Sequence, residues 1–276
     1  MDNKDKRFHM SSFLMRESLL DDRVLEGTLK AETPTVRMLP DVRVIKIGSS
    51  SIVDRGKSAV YPLMDVCAQM LKEHRIIFGC GGGARSKHVF SVGVDLGLPT
   101  GVLAQISVAD ALGNAHILGT LLAQHGVVAI PPEIFGHLLP LFINSVPGVI
   151  FNGVPPYSIW EHPPKIGRIP PHRSDAGCFI LGECFGVDSV ILVKDVDGLY
   201  TEDPKINPNA KFIAEATASQ VEAMNLETLP FDRVLLDILK TNRLIKEFQI
   251  VNGLKPELVA RAAKGEHVGT IIRADQ

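Results

Sequence analysis

Two short stretches, Lys46-Ile47-Gly48-Ser49 and Gly81-Gly82-Gly83-Ala84-Arg85, each lie at the end of an apolar run. The runs, Val42–Ile47 and Arg75–Cys80, have the length and β-branched content of buried strands. Open sheets of parallel strands bind ligands beyond the carboxyl ends of the strands, where glycine lets the backbone approach an anion. The pattern therefore favours an α/β protein with an anion site at one edge of its sheet.

Strand-like and helix-like segments alternate along the rest of the chain. Strands are predicted at 42–47, 75–80, 126–130, 148–152, 189–194, 249–252 and 269–273, and helices at 59–73, 86–96, 109–124, 175–185, 218–224 and 231–241. This alternation is typical of a mostly parallel sheet covered by helices on both faces. We expect residues 1–39 to form an N-terminal extension and residues 40–276 to form the domain.

The composition argues against nucleic acid, membrane and extracellular roles. The chain has 276 residues, of which 22% are charged, and a formal net charge of -2, so it lacks the basic surface that nucleic acid requires. Its four cysteines show no CxxC or metal-ligand spacing, which predicts reduced thiols. Neither a signal peptide nor a membrane span is expected, and we predict a cytoplasmic protein.

The two glycine stretches indicate phosphate binding with different strength. A lysine before Gly48 at a strand end supplies a positive charge, although a plain turn explains the same residues. The glycines at 81–83 precede a predicted helix, so bare N–H groups and the helix start together favour an anion site. A flexible loop is the alternative. The stretch matches neither GxGxxG nor GxxxxGK[ST], which leaves a Rossmann site and a P-loop unsupported.

An acidic turn follows the strand predicted at 189–194. It reads Val193-Lys194-Asp195-Val196-Asp197-Gly198-Leu199-Tyr200-Thr201-Glu202-Asp203-Pro204. Carboxylates beside phosphates hold Mg²⁺, and Tyr200 can stack on a base; a turn with solvated carboxylates is the alternative. Upstream, Arg173-Ser174-Asp175 is predicted to begin a helix, whose positive end suits an oxyanion.

Histidines offer scattered candidates for metal binding. The chain has nine histidines and no HExxH or similar motif. His116 lies in a predicted helix, where ordinary packing is the alternative. His137 and His162 flank irregular segments, which include the proline-rich stretch 155–171. We take these three histidines as candidate metal ligands.

In this order, the motifs resemble the amino acid kinase superfamily and its uridylate kinase branch over roughly residues 39–276. The resemblance implies a three-layer αβα sandwich around a mostly parallel sheet, with ATP and Mg²⁺ as cofactors. Together with the residue patterns, it nominates Lys46, Asp175 and Lys194 as catalytic candidates. The nucleotide-binding candidates are Lys46, Gly48, Ser49, Gly81, Gly82, Gly83, Arg85, Lys194, Asp197, Tyr200 and Asp203.

The acceptor side departs from the uridylate kinase pattern. Uridylate kinases carry an arginine a few residues past the glycines, where this chain has Lys87, while Arg85 falls early. The Phe-Phe-Thr-Thr-Asp segment that faces the nucleoside monophosphate reads Pro171-His172-Arg173-Ser174-Asp175 here. The residues that match the ATP-binding side of uridylate kinases, the donor side, are kept. The residues on the side that binds the phosphate acceptor differ, which argues against UMP as the acceptor.

The rebuilt version resembles the molybdenum storage proteins, a family within the same superfamily. The similarity is close at 44–48, 54–56, 84–88, 95–99, 155–157, 169–177, 251–254 and 265–270. It implies a hexameric cage of kinase-like subunits that bind ATP and Mg²⁺ and hold molybdate or tungstate as polynuclear oxide clusters. Molybdate is a tetrahedral dianion like phosphate, so a rebuilt phosphoryl-acceptor pocket suits it.

Three functions stay open on the sequence alone. The leading hypothesis is ATP-dependent storage of molybdate or tungstate in a homo- or hetero-hexamer, with ATP hydrolysis coupled to oxyanion loading. The second is a phosphotransferase that acts on a nucleoside monophosphate or a small acid. The third is a non-catalytic, nucleotide-binding structural subunit.

Overall fold

A mostly parallel sheet forms the centre of the protein in the computed structural model, which describes residues 34–275. The strands are β1 Val42–Ile47, β2 Arg75–Cys80, β3 Val127–Ala129, β4 Gly148–Phe151, β5 Ser189–Lys194, β6 Leu199–Tyr200, β7 Phe212–Ile213, β8 Glu215–Thr217, β9 Glu247–Asn252 and β10 Thr270–Arg273. Within these residues the sheet order is β3-β4-β2-β1-β5-β9-β10-β8, and β6 pairs with β7 apart from it. Strands β3 to β9 in that order are parallel, and β10 is antiparallel to β9.

Helices cover both faces of the sheet. They are α1 Lys57–Met70, α2 Gly83–Asp95, α3 Thr100–Leu122, α4 Phe135–Ser145, α5 Ser174–Phe185, α6 Ala218–Ala223, α7 Leu235–Thr241 and α8 Pro256–Ala263. One apolar cluster joins the sheet to α1, α3 and α8, and a second joins its other face to α4, α5 and α7. The predicted three-layer αβα sandwich is confirmed.

Three neighbouring strands end level with one another. In the register of the sheet, Ile47 at the end of β1 lies opposite Cys80 of β2 and Val193 of β5. The connection from β1 to β2 passes through α1 on one face, while α5 leads into β5 on the other face. A crevice therefore opens beyond β1, β2 and β5, where sheets of this kind bind ligands.

Helix α3 is the long apolar element of the fold. Together with the 3-10 turn Ala123–His125 it is long and apolar enough to cross a membrane by length and composition. Its Leu103, Ala111 and Leu118 are fully buried in the protein. A core helix of a globular domain passes the same test, so the helix is weak evidence for a membrane span.

Some helices differ from the sequence prediction for local reasons. Helix α3 begins at Thr100 rather than at 109, and within it the Ser107 hydroxyl donates to the Ala104 carbonyl at 2.7 Å. Helix α4 was not predicted, since it contains Pro140. Helix α7 begins at Leu235 rather than at 231, which leaves the residues before it free to line the crevice.

Residues 1–33 of the expected N-terminal extension lie outside the described residues. Its boundary with the domain at residues 39 and 40 stays a prediction.

Candidate functional site

A cavity of about 430 Å³ lies at the carboxyl ends of β1, β2 and β5. It brings together the two glycine stretches, the start of α5 and the acidic turn. The predicted site residues that line it are Lys46, Gly48, Ser49, Gly81, Gly82, Gly83, Asp175, Lys194, Tyr200 and Asp203. Arg85 and Asp197 are not among its lining residues.

Two buried lysines share one carboxylate in this cavity. The Nζ atom of Lys46, in β1, lies 2.7 Å from Oδ1 of Asp175, and Nζ of Lys194, at the end of β5, lies 2.7 Å from Oδ2. All three side chains are at most 10% exposed. Since one carboxylate faces two lysine side chains, the trio carries a net positive charge toward an incoming anion when both lysines are protonated.

The charges of the trio determine how its members titrate. Burial favours the neutral form of Asp175, but the charges of Lys194 and Lys46 outweigh burial and hold the pKa of Asp175 well below its usual value. Burial likewise opposes the charge on Lys46, yet Asp175 raises the pKa of Lys46. Burial lowers the pKa of Lys194, because the contact with Asp175 does not compensate for it. Asp175 and Lys46 are therefore both charged at neutral pH.

Asp232 is a site residue that the sequence analysis missed. It lies before α7, and its Oδ2 accepts the backbone N–H of Asp175 at 3.1 Å, while its own N–H donates to Asp175 Oδ2 at 3.2 Å. Its Oδ1 pairs with Arg173 at 2.7 Å. Burial and the negative charge of Asp175 raise the pKa of Asp232. The predicted helix start at 231 concealed it, since Asp232 then read as an ordinary helix residue.

Ser49 holds the two glycine stretches together. Its hydroxyl donates to the Gly81 carbonyl at 2.5 Å and accepts the Gly81 N–H at 2.9 Å. Asn114 of α3 donates to the same carbonyl at 2.7 Å. These bonds fix the loop after β2 relative to the loop after β1.

The start of α2 already carries an anionic partner. Asp54 accepts the Ala84 N–H at 2.7 Å, which is the arrangement that a helix N-terminus favours. Gly83 has a φ of 69°, and a Cβ there would lie 2.6 Å from the Asp54 carboxylate. A glycine is therefore required at this position for two separate reasons.

Arg85 does not line the cavity. Its guanidinium bonds to the side-chain oxygen of Asn114 and reaches the Asp110 carbonyl at 3.5 Å. Since Asn114 in turn supports Gly81, Arg85 acts on the glycine loop through another side chain. Its predicted contact with the nucleotide stays a prediction.

The acidic turn divides its charges between two places. Asp195 lines the cavity and receives Arg55 at 2.6 Å and Lys205 at 2.8 Å. Burial raises its pKa, but the bonds from Lys205 and Arg55 outweigh burial and lower the pKa. Asp197 instead accepts Lys255 at 2.7 Å, which lowers its pKa. Tyr200 packs edge-on against Phe212, at 5.5 Å between ring centroids.

The three candidate histidines are exposed and far apart in the fold. His116 lies on α3 and His137 on α4, which cover opposite faces of the sheet, and His162 lies in the loop before α5. Within residues 34–275, no group of three or more His, Cys, Asp or Glu residues could hold a metal ion. A metal role for these histidines stays a prediction.

The cavity is also lined by residues from the segments where the sequence departs from the uridylate kinase pattern and by their neighbours. We call them the acceptor side. They are Lys87 and Phe90 of α2, Ser107 of α3, and Arg173 and Ser174 at the start of α5. The loop leading to Arg173 is anchored by His172, whose Nδ1 lies 2.8 Å from the buried Glu161 carboxylate. The cavity therefore also contains two cations and two hydroxyls besides the residues of the glycine loops.

The sequence profile of the amino acid kinase family matches residues 41–246. Among curated proteins, the chain is 43% identical over 268 residues to the molybdenum storage protein subunit beta of Azotobacter vinelandii, which covers 96% of this chain and 97% of that protein. It is 30% identical over 240 residues to the uridylate kinase of Methanocella arvoryzae, covering 83% of this chain and 98% of that enzyme.

Solved structures show the same fold. The uridylate kinase of Archaeoglobus fulgidus superposes with a TM-score of 0.64 at 21% identity, covering 83% of this chain and 99% of that enzyme. The predicted resemblance to uridylate kinases and to molybdenum storage proteins is confirmed.

Proposed function

The chain belongs to the amino acid kinase family, and we propose that it uses ATP to store molybdate or tungstate as oxide clusters. Storage takes place inside an oligomer of homologous subunits in the cytoplasm. The similarity to a molybdenum storage protein subunit over almost the full length of both chains supports this choice. That relative is a subunit by name, which supports an oligomer.

The observation that carries the proposal is the shared contact of Lys46 and Lys194 with Asp175. A phosphoryl group in transfer spreads negative charge over its outer oxygens, and fixed positive charges stabilise it. Asp175 holds the two ammonium groups in place before ATP arrives, so they need no reorganisation. Gly48 and Gly82 border the same cavity and allow the phosphate chain to approach the backbone.

Mg²⁺ fits this site only with the help of ATP. The described residues offer no cluster of three ligands, and the Asp195 carboxylate already pairs with two cations. Mg²⁺ in phosphotransfer sites is commonly held by one or two carboxylates together with phosphate oxygens and water. Asp195 is one of the carboxylates that line the cavity and would serve such a role, in which Mg²⁺ would offset phosphate charge.

The acceptor side suits a small tetrahedral oxyanion. Arg173 offers planar donors, and Lys87 adds a mobile positive charge. Ser107 and Ser174 line the same cavity and add hydroxyl groups. Molybdate has the shape and charge of the phosphate group that a kinase acceptor would present, so this pocket can receive it.

Metal analysis of the purified full-length protein tests the proposal. The protein is incubated with molybdate, with and without MgATP, then desalted and measured for metal per subunit. We expect many metal atoms per subunit with ATP and far fewer without it. Trace metal under both conditions would rule out storage, and equal loading under both would rule out a role for ATP.

A phosphotransferase is the second candidate, because a uridylate kinase is 30% identical to this chain over 240 residues. Its test is a coupled assay with UMP and small acids as acceptors. ADP formation that is faster with UMP than with ATP alone would favour this function. Metal loading that persists without nucleotide turnover would instead favour the third hypothesis, a non-catalytic structural subunit.

A further inference from the structure

Two cations share the carboxylate of Asp195 at the side of the cavity. Lys205 Nζ lies 2.8 Å and an Arg55 guanidinium nitrogen 2.6 Å from the same oxygen, Oδ2. We propose that Lys205 binds the phosphates of a nucleoside triphosphate. Without nucleotide, its ammonium group pairs with Asp195, and it leaves Asp195 when the phosphates bind. This inference rests on the proposed use of ATP and adds a residue to that site.

The backbone of Lys205 is fixed while its side chain is free to turn. Its N–H donates to Asp203 Oδ1 at 2.9 Å, and Pro204 before it has a restricted φ. The side chain is 58% exposed and lines the cavity that contains Lys46 and Lys194. The ammonium group can therefore leave Asp195 without any movement of the main chain.

The second cation on Asp195, Arg55, lowers the free-energy cost of releasing Lys205. The Asp195 side chain is only 14% exposed, so a carboxylate with no cation beside it would be a poorly solvated charge. Arg55 remains on the same oxygen when Lys205 leaves. The phosphate chain then offers Lys205 a charge-assisted bond that replaces the one it gives up.

The other lysines of the donor side cannot move in this way. Lys46 and Lys194 are buried and both bind Asp175. Their side chains are at most 10% exposed, against 58% for Lys205, so they lack the exposure that lets Lys205 turn. Lys205 is thus the lysine of the donor side that combines exposure, a place at the cavity and a carboxylate with a second partner.

Calorimetric titration of ATP and ADP into the full-length protein, without Mg²⁺, tests the proposal. For Lys205→Met we expect the Kd for ATP to rise on the order of tenfold, as for loss of one charged hydrogen bond, and the salt dependence of binding to weaken. Lys205→Arg should restore part of the affinity. Lys240→Met is the matched control, since Lys240 pairs with Glu222 and does not line the cavity.

Substitutions of Asp195 and of Arg55, the other cation on its carboxylate, give opposite expectations. Asp195→Asn releases Lys205, so ATP should bind more tightly by a few-fold. Arg55→Met leaves Lys205 as the remaining cation on Asp195, so ATP should bind more weakly. An unchanged Kd in Lys205→Met, or weaker binding in Asp195→Asn, would overturn the inference. If the wild type binds no ATP, the proposed function itself fails, which is a different result.

Discussion

The donor side of the cavity and the loop before α5 hold their charges in different ways. On the donor side, Lys46, Lys194 and Asp175 are buried and joined by contacts of 2.7 Å. In the loop, His162 is exposed and Ile166 is 91% exposed, while the pair of His172 and Glu161 is the anchor. The first region is preorganised within one chain.

The difference bears on what one subunit can do alone. The elements that we propose to bind ATP converge on one cavity, whereas the candidate histidines lie on elements that cover opposite faces of the sheet or on a loop. His116 and His137 of one chain cannot bind the same ion across the sheet. A metal cluster that used them would need side chains from neighbouring subunits.

The strongest test of the buried region is removal of its carboxylate. Asp175→Ala leaves two lysines buried without their partner, so the free energy of unfolding should fall by about 3–5 kcal/mol. ATP binding should also be lost. Urea denaturation measures the first effect and calorimetry the second. Asp188→Ala is the control, because Asp188 is 47% exposed and its ion pair is worth at most about 1 kcal/mol.

The pH dependence of stability tests the charge on Asp175 separately. Its folded pKa lies below its ordinary value of 3.8, so its stabilising effect is present above pH 3.8 and is lost as the pH falls further. The difference in unfolding free energy between wild type and Asp175→Asn should therefore shrink below about pH 4. Curves that stay parallel from pH 7 to pH 3 would contradict the account.

A comparison of Gly83 with Gly56 tests whether the close contact between the loop after β2 and Asp54 matters. Gly83 and Gly56 share a φ of 69°, but only at Gly83 would a Cβ contact Asp54, while at Gly56 nothing lies within 4 Å. Each change to alanine should cost about 1 kcal/mol through backbone strain. Gly83→Ala should cost more and should also weaken ATP binding. Equal losses in stability for the two variants would show that the Asp54 contact is unimportant.

The smallest effects are expected from the exposed histidines. His116→Ala, His137→Ala and His162→Ala should each change stability by at most about 0.5 kcal/mol, since each lies on the surface. If they bind metal, the metal content per subunit falls while the Kd for ATP is unchanged. Metal content equal to wild type in all three variants would remove them as ligands.

The sequence predicted the sheet and the loops at its edge, because short apolar runs and glycines carry that information locally. The placement of Lys46, the glycines at 81–83 and Tyr200 around one cavity follows from strands that end level. The mostly parallel order could be anticipated from alternation. The start of α3 and the existence of α4 could not, and α4 contains Pro140, which disfavours a helix interior.

Contacts between distant segments account for what the sequence could not supply. Asp232 reaches Asp175 across 57 positions of the chain, and Arg55 reaches Asp195 across 140. Neither pair belongs to a local motif. Arg85 follows the glycines directly in sequence, but the bond of its guanidinium to Asn114 on another helix could not be predicted from that position.

Titration of ATP into the wild type and Lys46→Met, with Lys240→Met alongside, tests the central claim that the paired lysines serve the phosphates of ATP. The account predicts binding to the wild type and to Lys240→Met, and a loss of at least about tenfold in Lys46→Met, because a charged contact is removed from a buried site. Circular dichroism confirms that each variant is folded. Equal ATP affinity in a folded Lys46→Met protein would contradict the claim.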